Sequence, residues 1–187
     1  MVDVNALALL NCLNELELVN AQETVAVIDI GKTLTNVVIY GLDGLPFVRD
    51  INIAGEQVIQ GISQQTELSE DQIRQTLKQT QSPNQLDSNL LLAMNGAIGP
   101  LVNAINETLR FYSFQEKTSG VDRIFLCGGF ALIDAFVEFL TDAISIPVTL
   151  LNPFSTIQYD SGAATNKTLE KDGPAFAVAT GLAMRTP

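Results

Sequence analysis

Three short segments of this sequence carry residue types suited to holding phosphate. The first is Val27-Ile28-Asp29-Ile30-Gly31-Lys32-Thr33-Leu34-Thr35-Asn36-Val37-Val38-Ile39. An acidic residue ends one β-branched run, a Gly31-Lys32-Thr33 turn follows, and a second β-branched run opens at Thr35. Glycine lets backbone N–H groups approach a phosphate, the Thr33 and Thr35 hydroxyls add donors, and Asp29 is placed to hold Mg²⁺ through water. The plain alternative is a β-hairpin that needs glycine only for its turn. The second segment is Ile124-Phe125-Leu126-Cys127-Gly128-Gly129-Phe130-Ala131. A buried strand running into Gly128-Gly129 and then a helix leaves room for a ligand at the strand's carboxyl end. Here the alternative is close strand–helix packing and nothing more. The third, Asn52-Ile53-Ala54-Gly55-Glu56-Gln57-Val58, opens a helix, and Gly55 also reads as a plain helix-entry residue.

The elements that must position these segments follow from periodicity. Leu7, Leu10, Cys12, Leu13, Leu16 and Leu18 fall near helical spacing over residues 5–18. Three strand-like runs come next, 24–30, 35–40 and 45–53, joined by turns at Gly31 and Gly41 too short for anything but antiparallel neighbours. A helical stretch follows, with Val58, Ile59 and Ile62 as its apolar stripe, and a second opens at Ser69, where Gln72 stands at capping-box spacing. Residues 80–88 are polar and contain Pro83, which predicts a loop. A long amphipathic pattern from Leu90 to Tyr112 is expected to break near Gly99-Pro100, with Pro100 in the first turn of a second piece. Strand 123–127, helix 131–144, strand 147–151, a polar glycine-containing stretch 155–173 and a small-residue helix 174–184 complete the chain. This order predicts an α/β domain with a mixed sheet covered on its faces and three antiparallel leading strands. It is the order of the ribonuclease H-like unit, and residues 54–87 read as a small inserted helical subdomain.

Composition narrows the chemistry. The 187 residues suffice for one packed domain, and only 17% are charged. With 21 acidic against 10 basic residues the formal charge is -11, which repels nucleic-acid phosphates and anionic lipid head groups. Nucleic acid is thereby excluded as a partner. The sequence has no histidine, so His-base mechanisms and His-ligated zinc are excluded as well. Cys12 and Cys127 sit in apolar surroundings and read as reduced core thiols. The longest apolar stretch, Leu90 to Val102, is interrupted by Asn95, Gly96, Gly99 and Pro100, so direct membrane insertion is not expected. A cytoplasmic location is.

Taken in this order, the segments resemble the PilM family, actin-like ATPases of the type IV pilus machinery related to FtsA. Val2 to Ala8 resembles the segment that closes the family's first domain, and Val27 to Ile39 resembles its second phosphate loop. Ile53-Ala54-Gly55-Glu56-Gln57-Val58 resembles the start of its small subdomain. Glu107 to Tyr112 resembles the Phe-Tyr-ended helix before the adenosine motif, here Ile124 to Ala131. Pro147 to Phe154 and Ala177 to Ala183 resemble the closing strand and helix. The chain departs from the family at Ala54, where a second glycine is usual, and at Phe130, where a small residue is usual. Ile73 and Thr76 fall where adenosine-binding relatives carry charges.

The resemblance implies an actin-like ATPase second domain over 24–187, with 1–23 as a linker helix from a first domain that supplies the other phosphate loop. It implies ATP and Mg²⁺ as ligands, held weakly or not at all by this chain alone. Their contacts would be Asp29, Gly31, Lys32, Thr33, Thr35, Gly55, Glu56, Gly128, Gly129 and Phe130, with Asp29 toward the metal. It further implies a scaffold role in pilus assembly, peripheral to the inner membrane through a PilN-type protein that docks on the full-length chain. An ROK-type sugar kinase domain and a structural pseudo-ATPase module are the alternative readings.

Overall fold

The computed structural model describes residues 4–20, 22–41, 44–116, 120–157 and 166–185. Helix α1 (Asn5–Glu15) precedes a meander of β1 (Val25–Ile30), β2 (Thr35–Tyr40) and β3 (Pro46–Ile51). Then come α2 (Gly55–Gln65), α3 (Glu70–Gln79) and the long α4 (Ser88–Glu116). Strand β4 (Arg123–Cys127), α5 (Asp134–Ala143), β5 (Val148–Leu150), α6 (Asn166–Asp172) and α7 (Ala177–Ala183) follow. The five strands form one sheet in the order β3-β2-β1-β4-β5. The meander is antiparallel, while β4 lies parallel to β1 and β5 parallel to β4. The expected mixed sheet with three antiparallel leading strands is therefore present.

Strand alternation divides the core into two layers. Ala26, Ile28, Ile30, Val37, Ile39, Ile124 and Leu126 face α2, α3, α4 and α5, and the segment 54–87 contributes Val58, Ile59, Ile62, Ile73 and Leu77 to that same cluster. Val25, Val27, Val38, Phe125 and Cys127 face the other way, onto Leu9, Leu10 and Leu13 of α1 and Ala177 of α7. Both faces of β1 and β4 are apolar because both are covered, as parallel strands require.

Two expectations change. The predicted break at Gly99-Pro100 is absent, and α4 runs through Pro100 for 29 residues. Proline removes one backbone bond and crowds the carbonyl four residues earlier, at a cost of about 3 kcal/mol. Met94, Ile98, Leu101, Ile105, Leu109 and Tyr112 form one buried stripe along the helix. Full burial of such side chains contributes about 1.5–3 kcal/mol each, so the stripe outweighs the proline. Residues 88–115 are also long and apolar enough to cross a membrane by length and composition, which corrects the expectation of a broken stretch. The second change is α6, which lies inside a segment read as loop. Its seven residues have too little apolar periodicity to announce a helix. Asn152, at the end of β5, holds it by donating to the carbonyl of Glu170 at 2.8 Å.

The face bearing α1 is closed by a helix pair. A side chain at Gly181 of α7 would run into the carbonyl of Ala8, and Asn11 donates to the Gly181 carbonyl at 2.7 Å. Alanine at this position gains about 1 kcal/mol of helix propensity over glycine. The overlap is with backbone, so the steric cost of about 1–3 kcal/mol should prevail. Gly181→Ala is therefore expected to lower stability in denaturant melts, and a stabilised variant would show that α1 and α7 do not pack this closely.

Candidate nucleotide site

The parallel pairing of β1 with β4 puts Asp29 beside Cys127, so the Gly31 turn and the Gly128-Gly129 turn emerge at one edge of the sheet. Gly128 has φ +96°, a conformation other residues rarely adopt. A side chain there would also meet an Asp29 carboxylate oxygen and the Ile30 carbonyl, both at 2.5 Å. Its N–H is bonded to the Pro174 carbonyl at 3.0 Å. Gly129 has open space where a side chain would stand. Burial pushes the Asp29 carboxyl above its ordinary value. Burial, then Asp29, then Cys12 push the Cys127 thiol well up, and burial raises Cys12 to about 11, so neither thiol is a nucleophile at neutral pH.

The predicted contact residues are split between the two sheet faces. Asp29 follows Val25 and Val27 onto the α1 side, opposite Asn36. There Asn36 is buried and donates to Asp50 at 2.6 Å, while Asn5 of α1 donates to Asn36 at 3.4 Å. This polar cluster was missed as a unit in the sequence. Its signal is an asparagine in the middle of a β-branched strand, where asparagine is disfavoured.

The other residues gather toward the α2 side. The Gly31 and Lys32 carbonyls accept from the N–H groups of Gly55 and Glu56 at 3.2 and 2.7 Å, and Lys32 pairs with Glu56 at 3.3 Å. The first N–H groups of α2, which would otherwise attract an anion, are thus bonded to the hairpin. Thr35 is fully buried and donates to the Ile53 carbonyl at 2.8 Å, so its hydroxyl secures the hairpin to the entry of α2. Thr33 stands exposed in the turn.

Phe130 lies inside the α2–α5 layer, 8% exposed, with its ring edge-on to Phe136 at 5.4 Å. Phe125 faces the opposite layer. A side chain on Gly55 would overlap the Phe130 ring directly. The two glycine segments therefore meet through a ring laid on a glycine. Beyond them a polar cavity of about 250 Å³ is lined by Lys78, Thr80, Asp134, Asn152 and Lys171, next to Ala131 and Leu132. A roomier cavity of about 650 Å³ lies between the end of α2 and the start of α4 and contains none of these residues.

Two measurements check this geometry. Gly55→Ala should destabilise by about 1–3 kcal/mol and Phe130→Ala by about 3–5 kcal/mol. Because the alanine occupies the volume the ring vacates, the double variant should cost less than the sum, and strict additivity would show that the two do not touch. Asp29 gives a pH signature. Its folded carboxyl is raised, so its contribution to stability is fullest below the ordinary carboxylate value of about 3.9 and is lost as the pH rises through the folded value. Asp29→Asn should therefore raise the melting temperature at pH 7, with the gain shrinking as the pH falls toward 4. An equal gain at both ends would exclude the carboxylate charge as the cause.

The sequence matches the family profile described as Type IV pilus assembly protein PilM over residues 1–187. Among solved structures, the chain superposes on one from a PilM-PilN type IV pilus biogenesis complex with a TM-score of 0.78 at 22% identity, covering 100% of this chain and 53% of that one. The ethanolamine utilization protein EutJ from Carboxydothermus hydrogenoformans gives 0.63 at 13% identity, over 96% of this chain and 53% of that one. The archaeal actin homolog Ta0583, in complex with ADP, gives 0.59 at 16% identity, over 96% and 54%. The chain thus spans about half the length of these structures. The fold is that of the actin-like ATPases, and the chain belongs to the type IV pilus assembly protein PilM family.

Proposed function

We propose that this chain is the second domain of an actin-like pilus assembly protein and forms one wall of a weak Mg²⁺–ATP site. The observation that supports it most is Asp29. Its half-buried carboxylate ends β1 directly beside the glycine turn of β4, and no described residue donates a hydrogen bond to it. A carboxyl held against a burial penalty beside a glycine turn is a common mark of a functional site. Asp29 would hold Mg²⁺ through water, the Gly31-Lys32-Thr33 turn would approach the phosphates, and Gly129 would leave room for the nucleoside. Bound magnesium would neutralise phosphate charge, and these residues would orient it. Glu56 would act by steering Lys32, while Thr35, Gly55 and Phe130 would position the hairpin against α2.

The wall facing this one would come from a first domain, for which residues 1–23 would be the connecting segment and 54–87 the inserted helical subdomain. In the assembled protein the role is that of a cytoplasmic scaffold that couples nucleotide state to the pilus machinery through a PilN-type partner, as the matched PilM-PilN complex suggests. A structural pseudo-ATPase is favoured by different observations. The Thr35 hydroxyl, the Lys32 ammonium and the first two N–H groups of α2 already have protein partners.

Phosphoryl transfer needs donors on both sides of the transferring group. Calorimetric titration with Mg²⁺–ATP should accordingly show weak binding that Asp29→Ala removes, with no phosphate release above background. Robust turnover that disappears in Asp29→Ala would refute the one-wall reading. Absence of all binding, here and in the full-length protein, would leave the pseudo-ATPase.

A further inference from the structure

Lys32 is the one basic residue in the three glycine segments, so its ammonium is the positive side-chain charge those segments offer a phosphate. That charge is already engaged. Its Nζ lies 3.3 Å from Oε1 of Glu56, the second residue of α2. Among the described residues no ion pair joins Lys32 to Asp29. The two groups serve different sides of the edge, Asp29 the α1 side and the Lys32–Glu56 pair α2. A phosphate that bridges a cation at Asp29 to the Lys32 ammonium must therefore draw that ammonium off Glu56.

The two partners are held unequally. The Glu56 side chain is 26% exposed, and its N–H donates to the Lys32 carbonyl at 2.7 Å, which fixes the carboxylate close to the turn. The Lys32 side chain is 70% exposed, so its flexible four-carbon stem turns in solvent while the backbone bonds stay in place. Glu56 also tolerates the loss, because a carboxylate in the first turn of a helix is favoured by the helix dipole. The pair is a labile contact between two fixed backbones.

We propose that Glu56 is an internal competitor for phosphate: it steers the Lys32 ammonium onto α2, and a polyphosphate anion at the Gly31 turn takes the ammonium from it. This rests on the nucleotide-site reading above and adds what restrains the affinity of that site. Carboxylate and phosphate oxygens compete for the same ammonium N–H donors, so binding must first break the pair. Exposed pairs of this kind hold their partners by a factor of about two to five, which sets the size of the restraint. The exchange also gives α2 a side-chain contact that is present only while the anion is absent.

Titration of the chain with Mg²⁺–ATP and with inorganic tripolyphosphate, followed through NMR amide shifts that report weak affinities, tests this. Tripolyphosphate carries no nucleoside and confines the readout to the phosphate contacts. Glu56→Gln should bind both anions about two- to fivefold more tightly than the unchanged chain. Lys32→Gln should bind both more weakly. Losing a carboxylate also relieves direct repulsion of the anion, so the double variant decides. On the Lys32→Gln background, the gain from Glu56→Gln should shrink toward none. Glu70→Gln removes an acidic partner of equal charge from the Arg74 pair on α3 and should leave both affinities unchanged. A Glu56→Gln chain that binds no more tightly, an equal gain on both backgrounds, or an equal gain from Glu70→Gln would overturn the competition and leave the site standing. Absence of binding by every variant, Glu56→Gln included, would overturn the site reading itself and the competition with it.

Discussion

The pairing of β1 with β4 is the contact on which the rest of this structure depends. It joins Val25–Asp29 to Arg123–Cys127 across about a hundred residues, in parallel, so a long crossover must be ordered before it can form. Reciprocal bonds start the ladder: Thr24 N–H donates to the Asp122 carboxylate, and Asp122 N–H donates to the Thr24 carbonyl, each at 2.8 Å. Arg123 adds an ion pair to Glu23 at 2.8 Å and lies over the Phe125 ring. Because the strands are parallel, both carboxyl ends arrive at one edge, and a hairpin turn and a diglycine turn become neighbours. An antiparallel pairing of the same strands would have sent them to opposite ends.

That edge has two sides with different chemistry. On the α1 side the Asp29 carboxyl is held beside the buried Asn36, and burial penalises its charged form. On the α2 side the hairpin is locked to a helix by two backbone bonds, a buried threonine and an ion pair, and the diglycine turn is locked to the same helix by Phe130 on Gly55. In the proposed site the first side would meet the ligand, and the second would transmit its presence. Any shift of the hairpin must be passed to α2, because the bonds that satisfy the α2 N-terminus come from the hairpin itself.

Phe130 illustrates how a departure from a family pattern is absorbed. A large residue after a diglycine turn looks like an obstruction when only its neighbours in sequence are considered. In the fold it fills the hollow over Gly55 and abuts Phe136, and the space beside Gly129 stays open. The missing Cβ at position 55 and the added ring at position 130 are complementary volumes.

The sequence by itself determined the meander, the alternation of strands and helices, the acidic surface and the three glycine segments. These are local properties: β-branched runs, turn lengths and capping residues act over a few positions, and their physics does not need the remainder of the chain. Tertiary structure alone decided that α4 continues through Pro100, since the stripe from Met94 to Tyr112 gains its burial only against the sheet and α2. It also decided that residues 166–172 become helical, where Asn152 supplies a bond from a distant strand end. Most of all it decided which face each site residue occupies. Asp29 and Thr35 stand six positions apart around one turn, and the parity of the two strands, fixed by the Asp29–Asn36 register, sends one carboxylate to α1 and one hydroxyl to α2. Spacing along the chain counts the residues between two groups, but pairing between strands determines the side of the sheet on which each emerges.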